Sequence, residues 1–341
     1  MRAWLCRSIL VWFALVCTPL ASAAALPTET PAHVDFGTYG QPAYAYLQTL
    51  DQDYWARDCL DDEQTERVQE WLLSTLSAMG YASRQVEVQN FLFQGPYQDD
   101  YLSQNIVVTL PGSGTERVVV GAHYDGHGAG DNASGVAVLL ETAQRLIAEP
   151  QLPETVVFVL IGAEEETMAG SDTYVESLTE EELAHTAYYV NIDSVLCGDL
   201  CYLYGGVPDF ANQTVTGLHA FETFKAIGDR LGLGLHLVPW TFANPAPGFA
   251  QPEYPSPSTG NWSSHVSFVQ QGIEYVYLEA SNWNIPGPNG KYDGSGETAE
   301  GGKFMHTERD TLATLEAIFP GRAKVHMQVF SLLLHAVLTG F

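Results

Sequence analysis

The stretch that decides the fold is VVFVLIGAEEETMAGS, residues 156–171. Its first six residues, 156–161, are all apolar, which is typical of a strand buried on both faces. Three consecutive glutamates, Glu164, Glu165 and Glu166, follow at the point where that strand would end. Because carboxylates are rarely buried without a partner, these glutamates either form a solvated turn or face a positively charged group.

Apolar strands alternate with amphipathic helices along the rest of the chain. Together they predict a three-layer α/β/α sandwich with a mixed, mostly parallel central sheet. The predicted strands cover residues 84–91, 104–110, 117–122, 156–161, 187–192, 200–204, 235–238 and 274–278. The predicted helices cover residues 62–79, 133–148, 216–231, 264–271 and 323–338.

Three of the predicted strands end in residues that can bind a metal ion. The strand at 117–122 leads directly to His123, the strand at 156–161 leads to the glutamates, and the strand at 187–192 leads to Asp193. Functional sites in such sheets form at the carboxyl ends of the strands. A solvated turn explains one such strand end but does not explain three, so the pattern favours a metal site.

The first residues have the features of a secretory signal peptide. Arg2 and Arg7 flank the start of an apolar segment at 9–16, and Ala21-Ser22-Ala23 has the small-x-small pattern of a cleavage site. We therefore expect residues 1–23 to be removed near Ala23 and the protein to be secreted or periplasmic. A lipoprotein signal at Cys17 is the weaker alternative, and no later stretch predicts a membrane anchor.

Composition limits the partners and the covalent chemistry. The 341-residue chain has 14 basic and 41 acidic residues and a net charge of -27, so nucleic acid is not expected as a partner. Three cysteines remain after the leader, and the spacing of Cys197 and Cys201 predicts a small disulfide loop in an exported protein. Cys59 is then left over.

Five potential metal ligands occur within recognisable blocks of sequence. They are His123 and Asp131 in GAHYDGHGAGDNASGVAVLLE, Glu165 in GAEEETMAGS, Asp193 in VNIDSV and His306 in FMHTERDT. In this order the blocks closely resemble the M28 peptidase family of secreted di-zinc aminopeptidases, from about residue 104 to residue 306. The resemblance implies that residues 24–341 form a single M28-type peptidase domain with the zinc-exopeptidase (phosphorylase/hydrolase-like) fold.

The resemblance also implies a role for each ligand. Two Zn²⁺ ions per chain would share Asp131 as a bridge. Glu165 would join His123 on one ion, and His306 would join Asp193 on the other. These ligands suit several divalent ions, so the sequence leaves zinc, cobalt and manganese open.

Two further acidic residues take their expected roles from the same alignment. Asp125 would orient a ligand histidine, and Glu164 would be the general base that acts with a metal-bridging hydroxide. The role of Glu164 requires the chain to leave regular strand geometry by Ala163, because residues alternate between faces along a strand. Glu166 is expected to be solvated.

Several other residues keep two interpretations. His265, in SSHVSF, resembles a family stretch in which Asp is common at the position of Ser264; it is a candidate for the substrate site or else a histidine at the edge of the core. His127 is expected to be exposed to solvent. The Gly-rich loop 287–302 is either a wall of the substrate cleft or a surface insertion. Trp240, Phe242 and Trp262 could shape a pocket, although aromatic residues more often belong to the core.

The sequence as a whole predicts a secreted, monomeric di-zinc metallo-aminopeptidase that acts on the N-termini of peptides or proteins. A carboxypeptidase of the same family would keep the same ligands and is an alternative. A single-zinc glutaminyl cyclase would not need both His123 and Asp193. A non-catalytic binding domain on this scaffold would have lost ligands, and none is lost.

Overall fold

The computed structural model describes Pro31 and residues 34–340. The expected leader, residues 1–23, lies outside these described residues. Among the described residues, no helix combines the length and the apolar content needed to cross a membrane.

A mixed sheet of seven strands forms the centre of the molecule, in the order β2-β3-β6-β4-β7-β11-β8. The four strands β6, β4, β7 and β11 are parallel to one another, and the outer pairs β2–β3, β3–β6 and β11–β8 are antiparallel. The remaining strands form two small antiparallel pairs, β1–β5 and the hairpin β9–β10. The strands are β1 Ala56–Arg57, β2 Val86–Gln94, β3 Asp100–Leu110, β4 Arg117–His123, β5 Gly126–His127, β6 Thr155–Ile161, β7 Thr186–Ile192, β8 Leu200–Gly205, β9 Val207–Asp209, β10 Thr214–Thr216 and β11 Glu274–Ser281.

Helices cover both faces of this sheet, as the predicted sandwich requires. One face packs against α1, α2, α3, α6, α8 and α9 through a large apolar core, and the other packs against α4, α5 and α7 through a smaller core. The helices are α1 Gln41–Asp53, α2 Asp62–Met79, α3 Gly135–Leu146, α4 Ala169–Ser177, α5 Glu180–His185, α6 His219–Leu231, α7 His265–Gln270, α8 Leu312–Ile318 and α9 Arg322–Leu338. Irregular helical turns lie at Ser83–Gln85 and Ala129–Ser134.

Most predicted elements are confirmed, and the reasons are local. Helix α2 has the predicted bounds because the Asp61 side chain accepts hydrogen bonds from the backbone N–H groups of Glu63 and Gln64, both at 3.1 Å. Gly80 ends the helix in the left-handed conformation, with φ +101°. The predicted edge strand at 84–91 is β2, at one edge of the sheet.

Two predictions at the other end of the sheet are wrong. The predicted strand at 235–238 does not form, because only His236 pairs with β8 and only as an isolated bridge to Tyr202. The helix predicted from residue 216 begins at His219 instead, since Thr216 pairs with Val207 in the β9–β10 hairpin.

The predicted disulfide is also absent. Cys59, Cys197 and Cys201 are all free and buried. The Cys197 thiol donates to Asp310 Oδ1 at 3.4 Å, while Cys201 lies on β8 within the large core. The spacing of two cysteines therefore did not predict their side-chain directions, which the strand geometry of β8 determines.

A fully buried glutamate, Glu141 of α3, anchors helix α1 to the core. Its carboxylate accepts hydrogen bonds from the backbone N–H groups of Gly40 and Ala43, each at 3.0 Å, at the start of α1. Arg145 donates to it at 2.8 Å and Ser331 of α9 at 3.1 Å. One buried charge thus satisfies donors from three helices, and the positive end of the α1 dipole adds to its stabilisation.

We predict that Glu141→Ala lowers the free energy of unfolding by about 3–5 kcal/mol, because Arg145 and two backbone donors lose a buried charged partner. Urea unfolding monitored by circular dichroism measures this change. The matched control is Glu70→Ala, at an exposed position of α2, which should stay within about 0.5 kcal/mol of the unsubstituted protein. A loss below about 1 kcal/mol in Glu141→Ala would contradict the anchoring role.

Candidate metal centre

The side chains expected at the site meet at the carboxyl-terminal edge of the parallel strands. His123 is the last residue of β4, Glu164 and Glu165 follow β6, and Asp193 follows β7. Asp131 comes from the irregular turn before α3, and His306 from the loop before α8. The structure therefore brings together all five potential ligands and the adjacent Glu164.

Asp131 lies between the two histidines. Its Oδ1 atom is 3.2 Å from His123 Nε2, and its Oδ2 atom is 2.8 Å from His306 Nε2. Each oxygen of one carboxylate thus faces a different imidazole. This is the arrangement that a carboxylate bridging two ions would need.

The contact distances favour a different pairing of the remaining ligands from the one expected. His123 Nε2 is 3.3 Å from Asp193 Oδ1, and His306 Nε2 is 3.8 Å from Glu165 Oε2. The potential ligand atoms of His123, Asp131 and Glu165 also lie within 4.8 Å of one another. The shortest contacts nonetheless group His123 with Asp193 and His306 with Glu165, which differs from the expected pairing of His306 with Asp193.

The donor set and its spacing fit divalent metal ions such as zinc. Two ligand atoms bound at about 2.1 Å to one tetrahedral ion are roughly 3.4 Å apart, close to the separations around His123. Two buried polar atoms, Glu164 Oε1 and His123 Nδ1, have no hydrogen-bond partner. Four carboxylates packed around two histidines leave negative charge that only a cation would compensate.

The electrostatics of the site follow from burial. Burial raises the pKa of Glu164 well above its usual range, although His123 opposes the shift, and burial raises the pKa of Glu165 to about 7. Burial also opposes ionisation of Asp131, but hydrogen bonds from His123 and His306 hold its pKa below the usual value. The excess of carboxylates therefore makes this edge a strong attractor for cations.

Asp125 positions the glutamates more directly than it positions a histidine. Its Oδ1 accepts the backbone N–H of Glu164 at 3.1 Å and its Oδ2 accepts that of Glu165 at 3.2 Å. Its distance to His123 Nδ1 is 3.7 Å, which is too long for a hydrogen bond. Asp125 thus holds the turn after β6 through two hydrogen bonds, while it faces the imidazole of His123 at a longer distance.

That turn leaves strand geometry where the sequence required it. Strand β6 ends at Ile161, and Ala163 adopts the left-handed conformation with φ +52°. Residues other than glycine rarely adopt this conformation, and such residues concentrate at functional sites. Ser194 and His306 share it, with φ +53° and +58°. Glu166, expected to be solvated, is half-buried.

Arg57 and Asp310, which the sequence does not predict as site residues, hold the irregular turn Ala129–Ser134 that carries Asp131 (the Asp131 turn). Arg57 is fully buried and donates to the backbone oxygens of Tyr124 at 2.8 Å and Gly128 at 3.1 Å. Asp310 accepts the N–H groups of Gly130 at 2.7 Å and Asp131 at 3.1 Å. The sequence could have pointed to Asp310, because it lies four residues after His306 in the block FMHTERDT. No recognisable block of sequence contains Arg57.

Asp193 is held by hydroxyl groups and by Asn132. Ser263 Oγ donates to its Oδ2 at 2.7 Å, and Tyr277 OH donates to the same oxygen at 3.2 Å. Asn132 Nδ2 donates to Ile192 O at 2.9 Å, and Asn132 Oδ1 accepts the N–H of Ser194 at 3.1 Å. The Asp131 turn is thereby tied to the end of β7.

A cavity of about 370 Å³ opens from this centre. The loop 287–302 supplies part of the wall of this cavity, in keeping with the first of its two interpretations, and Trp262 lines the cavity as well. Trp240 packs against Tyr292 and Phe242 against Phe210. The residues that line the cavity are His123, Asp131, Glu164, Glu165, Asp193, Ser194, Glu253, Tyr254, Trp262, Tyr277, Glu279, Ala280, Ser281, Lys291, Asp293, Gly294, Ser295, Glu297, Met305 and His306.

The two other histidines near the site lie outside this cavity. His265 is buried behind it, with its ring 4.5 Å from the ring of Tyr275 and 5.4 Å from that of Tyr277, which favours the second of its two interpretations, a histidine at the edge of the core. His127 is exposed, as expected, and packs against Trp55 beside a second cavity of about 480 Å³. Glu165 and His306 line both cavities, so the centre lies between them.

A three-layer sandwich with such a centre is the architecture of zinc exopeptidases. The fold resembles a zinc aminopeptidase from Bacillus subtilis with a TM-score of 0.65 and 16% identity, covering 89% of this chain and 96% of that one. It also resembles a glutaminyl cyclase from Porphyromonas gingivalis with a TM-score of 0.63 and 18% identity, covering 89% and 98%. Residues 105–328 match peptidase family M28, and the chain belongs to that family.

Similarity to curated proteins covers only part of their length. The aminopeptidase YwaD of Bacillus subtilis (strain 168) is 43% identical over 201 residues, which is 57% of this chain and 36% of that protein. The matches to the first three curated relatives span 20%, 65% and 36% of those proteins. The chain therefore matches less than two thirds of the length of each.

We predict that Asp125→Asn weakens divalent-metal binding by about 10–100-fold, because one of the two oxygens that accept the N–H groups of Glu164 and Glu165 becomes an NH2 group, which can only donate. Competition with a chromogenic chelator on metal-free protein measures the affinity. Asp99→Asn, at an exposed site on the hairpin between β2 and β3, is the matched control and should bind metal normally. Unchanged affinity in Asp125→Asn would show that these two hydrogen bonds are dispensable.

Proposed function

We propose that this protein is a di-zinc aminopeptidase. The observation that carries the proposal is Asp131, whose two oxygens face His123 at 3.2 Å and His306 at 2.8 Å beside a cavity lined by carboxylates. Membership of peptidase family M28 supports it, as does the similarity to a protein named an aminopeptidase and to one described as a zinc aminopeptidase.

His123, Asp131 and Asp193 would hold one zinc ion, and Asp131, Glu165 and His306 would hold the other. The shared Asp131 would balance the repulsion between two close divalent cations. When bound, the two ions would supply Lewis-acid activation of a water molecule and of the substrate carbonyl group.

Glu164 would be the general base, because it lies at the centre without a competing hydrogen bond. Its Oε1 atom has no partner, and its Oε2 atom is 4.0 Å from His123 Nε2. The carboxylate can therefore take the proton of the attacking water and then deliver it to the leaving amine. The hydrogen bond from the Glu164 backbone to Asp125 would keep this carboxylate in position.

The charge around the centre supports an aminopeptidase over a carboxypeptidase. The first cavity is lined by eight carboxylates and one lysine, and that lysine, Lys291, lies 3.4 Å from Glu253. The second cavity adds Asp58, Glu166 and Glu308, with no lysine or arginine among its lining residues. A carboxypeptidase would need a cation for the terminal carboxylate of its substrate, whereas an aminopeptidase needs carboxylates for the substrate ammonium group.

A cyclase is less well supported, although the fold is shared with glutaminyl cyclases. A single-zinc enzyme would not require both His123 and Asp193, yet both lie at the centre, 3.3 Å apart. We propose as well that residues 24–341 form one peptidase domain, exported as a monomer after removal of residues 1–23; the leader-like sequence supports the export.

We predict that Glu164→Gln keeps its zinc but loses about 10²–10⁴-fold in kcat, because the substitution preserves shape and removes the base. Glu165→Gln should instead lose zinc, because an amide is a poor zinc ligand. Elemental analysis and hydrolysis of leucine 4-nitroanilide measure the two properties. Loss of zinc from Glu164→Gln with normal zinc in Glu165→Gln would reverse the two roles.

We predict two tight zinc sites in the unsubstituted protein, fewer than one in Asp131→Ala, and about one in His306→Ala, because the Asp131 carboxylate contacts both histidines. Calorimetric titration of metal-free protein gives these numbers. Hydrolysis of a free peptide but not of its N-acetylated form would support the aminopeptidase. Release of C-terminal residues, or cyclisation of an N-terminal glutamine, would favour one of the alternatives.

A further inference from the structure

A fourth parallel strand, β11, also ends at the metal centre, and its carboxylate has no role in the proposed chemistry. Glu279 lies near the end of β11 and lines the first cavity while being only 7% exposed. Glu297, in the loop 287–302, lines the same cavity and is 2% exposed. Two more carboxylates are thus buried at one wall of the cavity.

The Glu279 carboxylate is fixed on one side and free on the other. Tyr204 OH donates to its Oε2, and Trp283 Nε1 donates in turn to Tyr204 OH at 2.7 Å. Both aromatic side chains are fully buried, so the hydroxyl cannot turn away easily. The other oxygen, Oε1, accepts no hydrogen bond from any of the residues that the structure describes. A nine-tenths buried carboxylate therefore presents an unpartnered oxygen to the cavity.

Glu297 has the same arrangement. Its Oε2 accepts the backbone N–H groups of Phe304 at 2.6 Å and Met305 at 3.2 Å, and its Oε1 accepts none within the described part of the chain. Neither Glu279 nor Glu297 forms an ion pair with a lysine or arginine among residues 34–340, and Lys303 acts on Glu297 only from beyond ion-pair distance. The two buried carboxyl groups thus have no lysine or arginine at ion-pair distance within the described part of the chain.

The two carboxylates also act on each other. Burial, together with the charges of Asp193 and Glu297, raises the pKa of Glu279 to about 8, although the hydrogen bond from Tyr204 opposes the shift. Burial likewise raises the pKa of Glu297 to about 7. A pair of buried acids that repel each other is stabilised most by a cation placed between them.

The distance from the metal centre determines which cation fits. Tyr277 and Glu279 share one face of β11, and Tyr277 OH is 3.2 Å from Asp193 Oδ2. The Cα atoms of Tyr277 and Glu279 are about 6.5 Å apart along the strand, so Glu279 lies one strand repeat beyond the residue that contacts Asp193. The α-ammonium group of a substrate stays beside the scissile carbonyl, whereas the long stem of an arginine or lysine side chain carries its charge further along the cavity wall.

The rest of the cavity suits such a side chain. Tyr254, Trp262 and Met305 provide apolar and aromatic walls along which a methylene stem could pack, and an aromatic face favours a guanidinium group. The other acidic residues at the rim have partners already. Glu253 pairs with Lys291, and Asp293 accepts hydrogen bonds from Asn289 at 3.0 Å and from Ser295.

We propose that this wall of the cavity is the specificity site for a basic N-terminal residue, with the cationic side chain of arginine or lysine bound between Glu279 and Glu297. The proposal rests on the aminopeptidase function proposed above, because it assigns the substrate class of that enzyme.

The test compares charged side chains with neutral ones of the same shape. The zinc-loaded protein is assayed with 4-nitroanilides of arginine, citrulline, lysine, norleucine and leucine. We expect kcat/KM for arginine and lysine to exceed that for citrulline and norleucine at least about tenfold. Glu279→Gln, which keeps an acceptor for Tyr204, should lower the values for arginine and lysine about 10–100-fold and leave that for leucine within about threefold.

Glu297→Gln should lower the arginine-to-citrulline ratio in the same way, while Glu70→Gln, which removes an exposed charge on α2, should leave the ratio unchanged. Calorimetric binding of free arginine and of free citrulline gives a second measurement that needs no turnover. Leucine turnover with no preference for arginine, or an unchanged ratio in Glu279→Gln, would overturn the specificity site alone. Tight arginine binding without turnover of any substrate would instead overturn the aminopeptidase and keep the cation site.

Discussion

The carboxylate of Asp131 is the group on which the rest of the site depends, because each of its oxygens faces a histidine from a distant part of the chain. Its backbone must be fixed for this to hold. Asp310 accepts hydrogen bonds from the N–H groups of Gly130 and Asp131, and the buried Arg57 donates to the carbonyl oxygens of the same turn. Gly128 belongs to this arrangement, since it has φ +119° and a side chain there would collide with Asp310. The turn is therefore held by one buried anion and one buried cation, each placed opposite backbone groups of the matching polarity.

The same balance explains why so much negative charge can gather at one edge of the sheet. Three of the carboxylates around the centre are supported by donors that are not themselves charged: backbone N–H groups for Asp125, hydroxyl groups for Asp193, a tyrosine for Glu279. Such dipoles stabilise an anion without neutralising it. The net field stays negative, which suits a centre that has to retain divalent cations and to attract an ammonium group. Arginine or lysine partners would also stabilise these acids, but they would neutralise them, and the acids could then no longer bind a metal ion or an ammonium group.

The sequence predicted the parts of this arrangement that depend on local patterns. Periodicity located the central strands, and the apolar run at 156–161 with its following glutamates pointed to the correct sheet edge. Helix α1 was missed although Ala43, Leu47 and Leu50 have helical spacing, because the signal is short and its anchor, Glu141, is a hundred residues away. Long-range contacts were the main cause of the other errors: Arg57 acts through backbone carbonyls that no motif encodes, and the side chain of Cys197 faces Asp310 rather than Cys201.

The fold alone does not decide the chemistry, since aminopeptidases and glutaminyl cyclases share it. What distinguishes them must lie in the residues at the ends of the parallel strands. Three of those ends could be recognised in the sequence because each carries a residue type that binds metal directly after an apolar run. The fourth, β11, was not recognised, although Glu279 directly follows the strand predicted at 274–278; in the structure the strand is longer and Glu279 lies inside it, between Leu278 and Ala280. A charged residue within a buried strand is costly unless it has a function or a partner. Among the described residues, only one of the two carboxylate oxygens of Glu279 accepts a hydrogen bond, which comes from Tyr204. A bound cation would therefore offset the free-energy cost of burying this carboxylate.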